Sequence, residues 1–328
     1  MAKIRKDLIK SMKEFTFVII TYNQEQYILQ HLESIKYQIN KYGKGISVYL
    51  IISDDHSLDR TLQLAEIWLQ ENSCFFYNYK IYTSSSNKGI VKNYLKALNK
   101  IETAEYKLLA GDDLYYKNNV FQAIKEADIL LTPTINFTDT NDLHLDNNLY
   151  LYQKCILNNH EDLKKRISKE LDYDCLIQAP GSFLKTKIIQ DKNFQNFVLQ
   201  FKWIEDYPQW YYLFKKSNRT LKIRVSMKPY ILYRTNVGIS STSKHTKNKE
   251  FILEKNKIND QFKNKHTILP KIINPYVYIY HIKHYMVCKE AKHNPELISY
   301  DKLRSSKKFK SNINHYLNYL KQEAEQYI

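Results

Sequence analysis

FTFVIITYN, residues 15–23, decides how the rest of the chain is read. Its first seven residues carry no charge, and Thr16, Val18, Ile19, Ile20 and Thr21 are β-branched. A short apolar run without polar alternation is what a strand buried on both faces of a parallel sheet requires. The polar pair Tyr22-Asn23 ends it. The same device recurs at residues 47–55, SVYLIISDD, and at residues 106–113, YKLLAGDD, with a third, more polar run at Phe75–Thr83. Between these runs the apolar residues change to helical spacing. Tyr27, Ile28, Leu32, Ile35 and Ile39 mark one helix over 24–40, Leu62, Ala65, Ile67 and Leu69 a second over 55–69, and Gly89–Leu98 a third. Strands alternating with helices predict βαβ units, hence a mostly parallel, Rossmann-like α/β sheet with helices on both faces. Ligands of such sheets gather outside the carboxyl ends of the strands. The residues to weigh are therefore Tyr22-Asn23, Asp54-Asp55, Asn87 and Asp112-Asp113.

The second half is less regular. A further strand is expected within Asp128–Phe137, helices within 140–175, a turn at Gln178–Phe183 leading into a helix near Lys185–Gln190, and strand and loop over Leu221–Tyr233. From about Lys247 the pattern is helical, basic and rich in His and Tyr. This predicts an α/β domain over 1–243 and a basic helical C-terminal region over 244–328.

The bulk properties bound the function. With 328 residues, 43% hydrophobic, and only 6 Gly and 7 Pro, the chain is a folded globular one, neither disordered nor collagen-like. The net charge of +16 favours a polyanionic partner: nucleic acid, anionic lipid or a phosphorylated small molecule. Residues 244–328 hold 17 Lys and Arg against 8 Asp and Glu, more than half of the excess. Cys74, Cys155, Cys175 and Cys288 are scattered without metal-binding spacing, which fits a reducing compartment. Met1–Glu14 has no apolar core of a signal peptide, and no stretch reaches the ~18–20 apolar residues that span a bilayer. The expected location is cytoplasmic, with a peripheral position at the inner face of the cell membrane left open.

Four groups carry candidate chemistry. Asp112-Asp113 ends an apolar strand, where carboxylates can hold a hard cation, Mn²⁺ or Mg²⁺, that bridges to a pyrophosphate and stabilises it as a leaving group. Asp54-Asp55 can cap the following helix or accept a hydrogen bond from a nucleobase. Asn87, Gly89 and Lys92 can approach a diphosphate, or Gly89 can simply supply a turn. Glu205-Asp206, set among Trp203, Tyr207, Trp210, Tyr211 and Tyr212, can be a general base whose affinity for protons is raised by desolvation, or the acidic start of an ordinary helix. Trp203 can stack on an acceptor sugar, and Arg234, with Ser240-Ser241, can clamp a pyrophosphate. The histidines show no HExxH arrangement, so zinc is not expected.

Over roughly residues 15–240 this series resembles the inverting glycosyltransferases of family 2, whose fold is GT-A. FVIITYNQEQYI resembles the family's opening strand, with Ile20 where Pro often stands. LIISDDHSLDRT resembles its second segment, with His56 in place of Gly, and SNKGIVKNYLKAL its third. LLAGDDLYY resembles its DxD region with Ala110 at the first acidic position, and FKWIEDYPQWYYL the segment of the catalytic base. The resemblance implies that Ile20 (through its backbone), Tyr22 and Asp55 hold the nucleoside, Asp112 the ribose and Asp113 the metal. It makes Asp206 the base, with Glu205 as the substitute. It further implies a nucleotide-sugar donor, UDP- or dTDP-linked before GDP-linked, a glycan or lipid-linked acceptor in bacterial surface-glycan synthesis, and an anionic membrane surface as a partner of the basic tail. Self-association of that tail is left open. Two other readings compete. A nucleotidyltransferase would carry a Gly-rich phosphate loop early in the chain, and Thr21–Tyr27 has no Gly. A nucleic-acid-binding protein would leave the acidic strand ends unexplained.

Overall fold

The structure is a computed structural model that describes residues 13–140, 142–145, 149–157, 162–237, 249–262, 282–283, 285–287 and 289–328. Its centre is a parallel sheet of β1 (Lys13–Thr21), β2 (Ile46–Asp54), β3 (Asn78–Thr83) and β4 (Tyr106–Ala110), in the order β3-β2-β1-β4. Helix α1 (Ile28–Tyr42) joins β1 to β2, α2 (Thr61–Asn72) joins β2 to β3, and α3 (Ile90–Leu98) joins β3 to β4. Side chains alternate across β1 and β2. Phe15, Phe17, Ile19, Val48, Leu50 and Ile52 pack with Leu32 and Ile35 of α1 and Leu64 and Trp68 of α2. Val18 and Ile51 pack on the opposite face with Val91, Leu95 and Leu98 of α3. Burial on both faces is why these strands are apolar throughout.

The sheet continues in smaller pieces. β5 (Leu114–Tyr115) follows β4, and the single strand expected within 128–137 is two, β6 (Ile129–Leu131) and β7 (Ile135–Phe137), which enter different sheets. The break falls at Thr132, whose N–H and hydroxyl both donate to the carbonyl of Gly181. β8 (Leu143–Leu145), α4 (Tyr150–Leu157), α5 (Leu163–Glu170), β9 (Ser182–Leu184), α6 (Thr186–Ile189) and α7 (Lys192–Val198) follow. Next come α8 (Asp206–Tyr211), β10 (Ile223–Val225) and β11 (Ile231–Arg234). β11 pairs antiparallel with β5 and parallel with β7, which carries its last residue, Arg234, toward the end of β4.

The C-terminal region supplies α9 (Lys249–Phe262), α10 (Pro295–Ser305) and α11 (Lys307–Glu325). The domain boundary expected near residue 243 lies outside the described residues, as do Ser240-Ser241 and Cys288. α11 buries Phe309, Ile313, Tyr316, Leu317 and Leu320, a helical stripe that meets Leu114, Tyr116, Ile135 and Leu232. The Tyr316 hydroxyl donates to the Tyr115 carbonyl at 2.9 Å, and Asn72 of α2 donates to the Tyr327 hydroxyl at 2.9 Å. No helix among the described residues is long and apolar enough to cross a membrane.

Candidate active site

The register of the central sheet sets Thr21 of β1 beside Asp54 of β2, and Ile20 beside Ala110 of β4. The polar strand ends therefore share one edge. The carbonyl of Ile20 accepts the Gly111 N–H at 3.1 Å and that of Thr21 the Asp55 N–H at 3.0 Å. The Ile20 backbone, expected to hold a nucleobase, thus has its carbonyl engaged by the sheet. Tyr22 lies exposed at the edge.

On one side is the acidic pair. A Cβ on Gly111 would stand 2.6 Å from Oε1 of Gln24, so any larger residue here would displace that side chain. Asp112 and Asp113 are both buried. Arg234 reaches them from β11. Its N–H donates to Oδ1 of Asp113 at 2.9 Å and its Nε to the Asp112 carbonyl at 2.9 Å. Its Nη1 donates to Asp139 at 2.5 Å and its Nη2 to Gln30 at 2.8 Å, while the guanidinium lies 4.5 Å from the ring centres of Tyr27 and Phe137. Arg234 is itself buried. It buttresses the acidic turn, with Nε and one N–H on each terminal nitrogen given to protein acceptors.

Two residues missed in the sequence lie under this turn. Lys107 of β4 is buried, donates to the Ser182 carbonyl at 2.6 Å and stands over the Phe183 ring. Burial pushes its ammonium down to about 7, against the pull of Asp113. His31 of α1 is fully buried, and its Nδ1–H donates to the Asp113 carbonyl at 2.7 Å. Burial pushes His31 down to about 4, so it is neutral at physiological pH. Both were legible as anomalies: a Lys inside an apolar strand, and a His on the helix face that carries Ile28, Leu32 and Ile35.

Burial raises Asp113 well above the ordinary carboxylate range; Asp112 adds to this, and Arg234 and Lys107 oppose it. Asp112 is raised too, again chiefly by burial. Among the described residues no group of three or more His, Cys, Asp or Glu side chains forms a cage for an ion. Two adjacent carboxylates instead fit Mg²⁺ or Mn²⁺ that takes the rest of its shell from substrate phosphate and water.

On the other side is Asp55. Its Oδ1 accepts the Lys88 N–H at 2.9 Å and its Oδ2 the Gly89 N–H at 2.8 Å. It thereby fixes the turn into α3, with Asn87 and Lys92 exposed around it. Asn87 caps the same Gly89 N–H at 3.1 Å. Gly89 has φ +90°, and a Cβ there would meet the Lys202 carbonyl at 3.0 Å. That carbonyl also accepts the Val91 N–H at 3.2 Å. The α3 turn is thus the seat of the Lys202–Ile204 segment, which leads directly into Glu205-Asp206 and α8.

Glu205 and Asp206 are half-buried. Burial pushes Glu205 up to about 8, helped by the charge of Asp206 and then of Glu254. Asp206 is raised by burial, opposed by the Tyr207 N–H, which donates to its Oδ1 at 2.6 Å. Burial, and then the neighbouring carboxylates, favour a proton on Glu205, and the two groups titrate as a coupled pair. The ring of Trp203 is half-buried and covered by the Lys202 ammonium at 4.6 Å, a face that an acceptor sugar would have to share.

Residues 16–175 match the family profile described as Glycosyl transferase family 2. That segment, just under half of the chain, is similar to glycosyl transferase family 2. Two curated relatives are uncharacterized glycosyltransferases of Mycoplasma pneumoniae and Mycoplasma genitalium. Each is 33% identical over 110 residues, covering 34% of this chain and 34% and 35% of theirs, respectively. The matched stretch is about a third of the length of those relatives. Among solved structures, S. aureus TarS 1–349 in complex with UDP-GlcNAc aligns with TM-score 0.48 and 22% identity over 69% of this chain and 59% of that one. The UDP complex of the same protein aligns with TM-score 0.49 and 19% identity over 96% and 88%. The fold expected from the family 2 resemblance, a parallel α/β sheet covered on both faces, is the fold found. The family 2 segment departs from its usual glycine at His56, yet the backbone keeps the left-handed conformation a glycine would take, φ +69°, with Nδ1 bonded to the Ser84 carbonyl at 3.1 Å.

Proposed function

We propose that the chain is a nucleotide-sugar glycosyltransferase that moves a sugar from a UDP- or dTDP-linked donor to a hydroxyl of a glycan or lipid-linked acceptor, with inversion at the anomeric carbon. The observation that carries this reading is the link between the two acidic sites: the buried Asp112-Asp113 turn ends β4, and the segment leading into Glu205-Asp206 is bonded through the Lys202 carbonyl to the α3 turn that Asp55 holds. In a single displacement Asp206 takes the proton of the acceptor hydroxyl while that oxygen bonds to the anomeric carbon and the nucleoside diphosphate departs. A neutral Glu205 beside it keeps the site from accumulating two charges. Asp113, with Asp112 toward the ribose, would hold Mn²⁺ or Mg²⁺. When bound, that cation supplies positive charge to the leaving diphosphate. Asp55 and Asn87 order the turn of α3 against which the donor lies, with Tyr22 and Lys92 exposed to it.

The net charge of +9 over residues 244–328 favours an anionic membrane surface and a place in surface-glycan synthesis. The test is a panel of UDP-, dTDP- and GDP-sugars with Mn²⁺, read by release of the nucleoside diphosphate. Release from one nucleotide class that requires Asp206 supports the reading. Release from none, with salt-sensitive binding of a random oligonucleotide, would replace it by nucleic-acid binding.

A further inference from the structure

Helix α9, far along the chain, places one carboxylate on the segment that delivers Glu205-Asp206. Oε2 of Glu254 accepts the Lys202 N–H at 2.7 Å, and Oε1 accepts the Trp203 and Ile204 N–H groups at 2.8 Å each. Three consecutive amides converging on one carboxylate form an anion nest, and charge-assisted bonds of this kind are among the stronger ones in proteins. The other end of α9 is pinned as well. Phe262 stacks on Tyr211 with ring centres 4.0 Å apart, meets Tyr207 and Phe201 edge-on, and is buried with Ile258. The nest is also tied to the donor side, since the Lys202 carbonyl accepts the Val91 N–H and packs on Gly89, whose own N–H is held by Asp55. Asp55, Gly89, Lys202 and Glu254 therefore form one unbroken path from the end of β2 to α9.

We infer that Glu254 is the positioning residue of the Glu205–Asp206 pair: it fixes the backbone of residues 202–204, and through it the aim of the two carboxylates that follow. The inference rests on the transfer reading for its catalytic consequence, but the anchoring itself does not depend on it. It assigns the C-terminal region a part in the reaction centre, beyond any contact with membrane or acceptor.

The charge of Glu254 also acts on the pair directly, as a third negative group that helps Glu205 retain its proton. Glu254→Gln keeps the shape and two acceptor contacts but sets an amide donor against the Lys202 N–H and removes the charge; Glu254→Ala removes the nest altogether. In the full chain, hydrogen exchange of the peptide spanning 202–206 is expected to quicken about tenfold or more in both variants, with the peptides of the central sheet unchanged. This readout needs no substrate. In transfer assays kcat is expected to fall roughly ten- to a hundredfold while the donor Kd stays within about twofold. The acid limb of the pH–rate profile is expected to move to lower pH in Glu254→Gln, because the pair loses a repelling neighbour. Unchanged exchange at 202–206 would overturn the anchoring whether or not the chain transfers sugar. Faster exchange with wild-type kcat and an unmoved acid limb would overturn the positioning role and leave the transfer reading intact. Inactivity of the wild type itself toward every donor would count against the transfer reading, with exchange still deciding the anchor.

Discussion

The two acidic centres answer the same problem differently. Both bring carboxylates together out of water, which raises their affinity for protons. At Asp112-Asp113 the raised proton affinity is opposed by the charges of Arg234 and Lys107, and His31 bonds the Asp113 carbonyl beneath the turn. At Glu205-Asp206 the charges of further carboxylates, Glu254 and Asp174, add to the effect of burial, which favours a retained proton on Glu205. A centre set beside a buried guanidinium suits holding a charged ligand still. A centre balanced by a proton suits moving one.

If that contrast is right, Asp206→Asn is the most damaging single change to transfer. It should lower kcat by ~10²–10⁴-fold with donor affinity preserved, as measured by steady-state kinetics beside calorimetry. A wild-type rate in this variant would move the base elsewhere. The same contrast predicts that removing the cation is a matter of stability. Arg234→Met keeps the backbone N–H to Asp113 but removes the side-chain bonds to the Asp112 carbonyl, Asp139 and Gln30, and should cost about 1–3 kcal/mol in denaturant unfolding. A loss under about 1 kcal/mol would mean that the acidic turn does not depend on its cation.

Acid sharpens the comparison further. His31 has an ordinary value of 6.5 unfolded and about 4 folded, so the unfolded chain binds the extra proton between those values. Stability contributed by its neutral form is complete above about pH 6.5 and is lost as pH falls toward 4, by up to about 3 kcal/mol. His31→Gln should flatten that part of the stability–pH curve, and an unchanged slope would remove His31 from the account. Glu205 runs the other way. Its folded value of about 8 means that stability is present at low pH and is lost as pH rises from about 4.5 to 8, a trend that Glu205→Gln should abolish in the same experiment. The smallest effect is expected at His56→Gly, which relieves a left-handed φ but loses the bond to Ser84: a change within about 1 kcal/mol, read from the melting temperature.

The sequence was most legible where local pattern and burial coincide. Phe15–Thr21, Ser47–Ser53 and Tyr106–Ala110 read as strands because burial on both faces leaves no room for polar alternation, and their polar ends mark the site edge. What could not be read was whatever depends on distant approach. Arg234 looked like a free cation because nothing local to it announces that β11 lies beside β5, within reach of Asp113. Glu254 carries no local signal, since its partners are three backbone amides that have no sequence signature. Thr132 split an apparently continuous apolar strand through its bonds to Gly181, again a tertiary cause.

The most direct test of the division between holding and proton transfer is calorimetric titration of UDP and dTDP with and without Mn²⁺, on the wild type, Asp113→Asn and Asp206→Asn. The expected result is metal-dependent nucleotide binding in the wild type and in Asp206→Asn, and loss of the metal-dependent part in Asp113→Asn alone. Binding that is metal-dependent to the same degree in all three, or that is lost in Asp206→Asn and kept in Asp113→Asn, would contradict it.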